Sequence, residues 1–257
     1  MARYDFRSPR LHVDQPLQAG AAVTLEKPQA HYLTNVLRLG PDDPVLLFNG
    51  RDGEWRGRLA VAGKRAMTVR LETQTRPQTA TNDLHYWFAP LKRGRLDYMV
   101  QKAVEMGVGR LVPVMTQHTQ AERVNVERMR ANAIEAAEQC GVLRLPEIDE
   151  PAPLARALAA IAPARLLVFC DEDAPIADPA AALASASGAS SIAVLVGPEG
   201  GFSQDERSML LARPHSVRLA LGPRILRADT AAVAALALVQ TVLGDWRAVI
   251  PSAPGMS

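Results

Sequence analysis

The chain has 257 residues, 48% of them hydrophobic and 22% charged, a packed globular composition that excludes wholesale disorder. Two cysteines without CxxC spacing and five scattered histidines exclude a disulfide scaffold and the usual zinc patterns, so no metal is expected. The net charge of +2 singles out no partner, but residues 1–75 carry +3, 76–134 carry +4 and 135–178 carry −6, and a basic first half points to a polyanion. The first residues lack the apolar stretch of a secretory signal. The longest apolar runs, 166–170 and 231–239, are far shorter than the ~20 residues of a membrane span. The expectation is a soluble, cytoplasmic protein.

In chain order, apolar positions 32, 33, 36 and 37 suit a short helix over 31–38. Three runs, 44–49, 54–62 and 67–71, separated by Gly-containing turns at 50–53 and 63–65, predict a meander of short strands that begins a small barrel. Residues 73–83 are polar and aperiodic and read as a linker. The pattern then changes. Strands are predicted at 85–90, 110–115, 166–170, 192–196 and 216–221. Between them lie helical faces at Leu96, Met99, Val100, Ala103 and Val104, closed by Gly107, and at Val126 to Cys140, closed by Gly141. Ser203-Gln204-Asp205-Glu206 is a capping box that opens another helix. Such alternation predicts an α/β fold with a mostly parallel sheet covered on both faces.

Two strand-to-helix junctions stand out. Gly197-Pro198-Glu199-Gly200-Gly201-Phe202 follows the strand at 192–196 and leads into the Ser203 cap. A doubly wound sheet binds ligands at such turns, although a tight turn needing positive φ explains the glycines equally well. It is neither a Walker loop nor a GxGxxG fingerprint. The second junction, Gly222 to Thr230, puts Ile225 and Leu226 between Arg224 and Arg227 just before a helix. Apolar loop residues suit a flat ligand, and arginines beside them suit a polyanion or a developing oxyanion. A third cluster, Lys92-Arg93-Gly94-Arg95, opens a helix that continues through Lys102. Cations there oppose the helix dipole and ask for a reason, such as phosphate contact with Arg7, Arg10 and Arg38 as companions. Of the histidines, only His31, beside Tyr32 in the basic first part of the chain, is a candidate base-stacking or phosphate contact.

The strings 197–202 and Leu221-Gly-Pro-Arg-Ile-Leu-Arg-Ala-Asp-Thr-Ala231 resemble the two cofactor-loop motifs of the RsmE family, within the SPOUT superfamily of knotted methyltransferases. His31 to Arg38, Leu47-Phe48-Asn49-Gly50, Lys92 to Gly107 and Glu135 to Gly141 resemble further family segments in the same order. Val142 stands where the family usually has arginine, and Asp229 where many members have Glu. The resemblance implies a PUA-like RNA-binding barrel at 1–74, a linker at 75–83, a knotted SPOUT methyltransferase domain at 84–248, a tail at 249–257, and a homodimer.

It further implies S-adenosylmethionine as cofactor and N3 of a uridine in small-subunit ribosomal RNA as methyl acceptor. The cofactor-binding residues expected from it are Leu195, Val196, Gly197, Pro198, Glu199, Gly200, Leu219, Leu221, Gly222, Ile225, Leu226, Thr230 and Ala231. Glu199 is the expected base for the N3 proton, and Arg227 or Arg224 the expected partner of charge spreading onto the uracil oxygens. The alternatives are a ribose 2′-O-methyltransferase of the same fold and a non-catalytic RNA-binding assembly factor. The absence of a G-x-S-x-G elbow leaves hydrolase chemistry unsupported.

Overall fold

The computed structural model describes residues 5, 7–62, 66–79, 83–121, 123–175 and 178–247. The predicted turn at 63–65, part of the linker (80–82) and the tail at 249–257 lie outside these. The described residues up to 79, together with 137–145, form one compact unit, and 83–136 with 146–247 form another.

In the first unit, β1 (Arg10–His12), β2 (Ala22–Thr24), β3 (Pro44–Phe48), β4 (Glu54–Ala62) and β5 (Ala66–Arg76) form a sheet of order β1-β3-β4-β5-β2. The meander β3-β4-β5 is antiparallel as its alternation requires, and β1 adds to β3 in parallel. Val45, Leu47, Leu59, Val69 and Leu71 point to one face and build the core with Leu11, Val13, Val23 and Leu33. β1 and β2 escape sequence reading because three residues are too few to show alternation. β5 runs through Arg76, over residues that read as linker, because Thr75 and Arg76 both bond the Glu54 carboxylate of the paired strand. Gly53 must stay small there: a Cβ would lie 2.3 Å from Arg76 O, and its φ is +76°.

The helix expected at 31–38 starts earlier. Pro28 and a Glu26–Gln29 capping box open α1 (Lys27–His31), and the chain continues as one wider π turn over Tyr32–Val36. Only Leu33 of the π turn is buried, while Tyr32, Val36 and Leu37 stay exposed.

The second unit is the predicted parallel sheet. β6 (Asp83–Phe88), α2 (Arg93–Glu105), β7 (Arg110–Met115), α3 (Val126–Cys140), β8 (Glu147–Ile148), β9 (Ala152–Pro153), α4 (Leu154–Ala160), β10 (Leu166–Cys170), α5 (Pro179–Ala184), β11 (Ser191–Val196), α6 (Gln204–Leu211), β12 (Ser216–Leu219) and α7 (Ala228–Val242) follow one another. The last turn of α3 groups with the first unit. The sheet order is β12-β10-β11-β6-β7-β8, with β9 also on β7 and every pairing parallel. Trp87, Val112, Phe169 and Leu195 turn to the face covered by α4 and α6. The alternate residues Tyr86, Phe88, Val168 and Val194 turn to the opposite face, where Tyr86 Oη meets Met99 Sδ of α2 at 2.9 Å. α2 closes at Gly107 (φ +77°), and the buried Gln240 of α7 donates to Met106 O at 2.6 Å. Among the described residues no helix is long and apolar enough to cross a membrane.

Candidate functional site

Neighbouring strands β12, β10 and β11 all end on one side of the sheet, so the three loops that leave them emerge together. In open parallel sheets, ligands bind at such carboxyl ends. Here the loops enclose a cleft of about 350 Å³. Its lining comes from the strand ends Cys170, Val196 and Leu219, from Asp171 and Glu172 after β10, from 197–199 and 201–202 after β11, from 221–226 after β12, and from Ala228 and Ala231 of α7.

Each loop has a physical reason for its path. After β11, Gly201 N donates to Pro198 O at 2.9 Å, closing a turn with Gly201 at φ +67°. Phe202 folds back on Gly197 so closely that a Cβ there would meet the ring at 2.9 Å. The chain then enters α6 through the predicted capping box: Ser203 N donates to Glu206 Oε2 at 2.9 Å and Glu206 N to Ser203 Oγ at 3.3 Å. Glu206 also accepts from Gln117 N at 2.8 Å. After β12 the chain leaves the sheet at Leu219, two residues short of the predicted strand end, which frees Leu221 to line the cleft. Ile225 is 97% exposed and forms, with Leu226, an apolar lip.

The expected cofactor residues divide. Val196, Gly197, Pro198, Glu199, Leu219, Leu221, Gly222, Ile225, Leu226 and Ala231 line the cleft. Leu195 lies in the core on the α4/α6 face, as the strand pleat dictates. Gly200 abuts His118, whose Nδ1 lies 3.0 Å from Gly200 O, and Thr230 is exposed on the first turn of α7. Sequence reading missed Cys170, Asp171 and Glu172, although they end and follow a predicted strand and the same junction logic would have found them. Asp171 is buried and engaged by Arg218 Nε at 2.9 Å and Arg207 Nη2 at 3.3 Å. Burial pushes the Cys170 thiol up to about 12, which makes it inert rather than nucleophilic.

Of the expected catalytic residues, Arg224 lines the cleft and Arg227 is the N-cap residue of α7. Both side chains are exposed and neither bonds another described residue. Glu199 accepts from Arg95 Nη1 at 2.5 Å through Oε1, and no other described residue engages Oε2. Arg95 also donates from Nε to Asp229 Oδ2 at 3.2 Å. Burial raises the Asp229 carboxyl, but Arg95 and the Thr230 N–H outweigh that and hold it below the ordinary carboxylate range.

The expected RNA contacts divide too. Arg7, His31, Arg38 and Lys92 are exposed. Arg10 is not available: it is 9% exposed, with Nε 2.6 Å from the buried Glu54 carboxylate and Nη1 on Glu138 O. A sequence shows that a residue is charged but not that a buried partner has claimed it. Lys102 donates to Glu105 at 2.7 Å and lies 5.6 Å over the Tyr98 ring. Arg95 is committed to Glu199 and Asp229.

Residues 78–240 match the family model of the RNA methyltransferase domain, and 25–72 match that of the RNA methyltransferase PUA domain. A Rickettsia conorii protein named ribosomal RNA small subunit methyltransferase E is 31% identical over 232 residues, 90% of this chain and 94% of its own. The chain belongs to the ribosomal RNA small subunit methyltransferase E family. A Synechocystis member is 29% identical over 87% of this chain and 74% of its own. The crystal structure of the Neisseria gonorrhoeae family member, bound to S-adenosyl methionine, superposes with a TM-score of 0.82 at 27% identity, covering 93% of this chain and 100% of that one. The family assignment agrees with the α/β parallel-sheet unit and the PUA-like first unit described above.

Proposed function

We propose that this chain transfers the methyl group of S-adenosylmethionine to N3 of a uridine in small-subunit ribosomal RNA. The observation that carries the reading is the cleft at the ends of β10, β11 and β12, in a chain similar to this family along nine-tenths of its length. Its residues fit the cofactor. About 350 Å³ is within the range of small-molecule sites. The apolar Leu219, Leu221, Ile225 and Leu226 suit a flat adenine, and Glu172 and Glu199 on the same lining suit a cation. Gly222, with φ +91° and open space where a Cβ would stand, leaves the backbone open to close approach.

When bound, S-adenosylmethionine supplies an electrophilic methyl on a sulfonium. The protein's own part is positioning, deprotonation and charge. Val196 to Pro198 and Leu219 to Leu226 hold and orient the ligands, and fixing the reacting atoms in line lowers the barrier by removing their freedom. N3 of uridine is a weak acid, and Glu199 offers Oε2 as the acceptor of its proton. As the proton leaves, negative charge spreads onto the uracil oxygens. The uncommitted guanidiniums of Arg224 and Arg227 meet it. Arg7, His31 and Arg38 contact RNA from residues 1–74, the RNA-binding domain, and Lys92 contacts it from residues 84–248, the catalytic one. A trefoil knot in the catalytic domain, a homodimer and a cytoplasmic location complete the reading.

Mass spectrometry of ribosomal RNA from cells lacking the protein tests it. One methyluridine should disappear and return when purified protein, cofactor and small subunits are combined. An alkali-resistant product would instead mark 2′-O-methylation, and an unchanged nucleoside profile would leave an RNA-binding assembly factor.

A further inference from the structure

Sequence reading grouped Arg95 with the phosphate contacts, yet two edges of its guanidinium are already engaged. Nη1 donates to Glu199 Oε1 at 2.5 Å, and Nε and Nη2 reach the two oxygens of Asp229 at 3.2 and 3.5 Å. Glu199 belongs to the loop after β11. Asp229 lies in the first turn of α7, directly behind the loop after β12. Both loops supply walls of the cleft. Among the described residues, no hydrogen bond runs directly between 197–202 and 220–228. The tie between them is made from outside, by a residue of α2.

We propose that Arg95 is a positioning residue that latches the Glu199 loop to the start of α7 and so holds the cleft in the shape that takes its ligand. The inference rests on the cofactor reading above but reaches a residue to which that reading gives no role. A planar guanidinium serves two carboxylates on separate edges, which an ammonium cannot do with the same geometry. An arginine in the first turn of α2 opposes that helix's dipole, and two carboxylate partners offset the cost. With the cation removed, Glu199 and Asp229 lose their shared counter-charge and repel, and the two walls part. The guanidinium is partly solvent-exposed, so each pair alone contributes little. The effect comes from joining two loops between which, among the described residues, no direct hydrogen bond runs.

The test uses Arg95→Gln, Arg95→Lys, Asp229→Asn and the double variant Arg95→Gln/Asp229→Asn, each with a melting curve. Hydrogen exchange of the free protein should show faster exchange in both 197–202 and 220–228 for Arg95→Gln. Calorimetry with S-adenosylmethionine should show affinity reduced about tenfold, the scale of a coupled network. Lysine should recover part of that loss. The double variant should bind no more weakly than Arg95→Gln alone, because one latch is cut only once. The slope of RNA affinity against salt should stay at the parent value. If Arg95→Gln does not fold, Asp229→Asn severs one arm and should loosen 220–228. The latch is overturned if neither loop exchanges faster, or if cofactor affinity is unchanged while the salt slope falls by about one counterion. A parent protein that binds no S-adenosylmethionine overturns the cofactor reading instead, and the exchange data still judge the latch by themselves.

Discussion

Arg227 stands at the N-cap position of α7, exposed and without a described partner, next to a cleft that it does not itself line. If it meets charge that develops only during transfer, Arg227→Ala should lower single-turnover methylation by about 10²–10³ at saturating substrates. Cofactor affinity and melting temperature should stay near the parent's, because no described residue bonds the Arg227 side chain. A near-normal rate would remove it from the chemistry. His85 makes the contrary point that a perturbed group need not be functional. Burial, with Arg165 beside it, pushes its imidazole down from 6.5 to about 4, against the pull of Asp83. The unfolded chain therefore binds the proton more readily between pH 6.5 and about 4, and stability should fall as pH drops through that window. Replacing His85 by Gln should flatten this part of a melting-temperature profile. An unchanged slope would assign the acid sensitivity elsewhere.

At the scale of elements, what was legible follows from periodicity. β6, β7, β10, β11 and β12 lie within two residues of the predicted strand ends, and the central β10 and β11 carry continuous apolar runs. The pieces that escaped, such as β8, β9 and α4, are two to seven residues long, and their pattern is set by the partner they pack on. The capping box at Ser203 was legible because both of its bonds are local. Its consequence was not: the box occupies the backbone N–H groups of Ser203 and Glu206 with each other's side chains, so neither is left for a ligand. Ser203→Ala should therefore cost about 1 kcal/mol of stability and leave S-adenosylmethionine affinity unchanged. A large loss of affinity in calorimetry would return the start of α6 to the ligand site.

At the scale of the whole chain, charge counting pointed to a polyanion but could not say which cations face it. Glu54 is the reason. A carboxylate 2% exposed in β4 takes Arg10 and Arg76 into the interior of the first unit, and the same two arginines donate to Glu138 O and Gly141 O at the end of α3. Nothing in the local pattern of 54–62 marks Glu54 as buried, because the partners that satisfy it are 44 and 22 residues away in sequence. RNA binding should therefore depend on Arg7, Arg38 and Lys92, which are exposed, and not on Arg10. Each of Arg7→Gln, Arg38→Gln and Lys92→Gln should lower the slope of log affinity against log salt by about one counterion and leave the melting temperature in place. Arg10→Gln should do the reverse: breaking a buried pair from one side costs about 3–5 kcal/mol, so the protein melts earlier while the salt slope of the folded fraction holds. Titration of small-subunit RNA at several salt concentrations, beside melting curves, separates the two groups. If Arg10→Gln lowers the slope with its stability intact, Arg10 reaches phosphate and the buried network does not hold it.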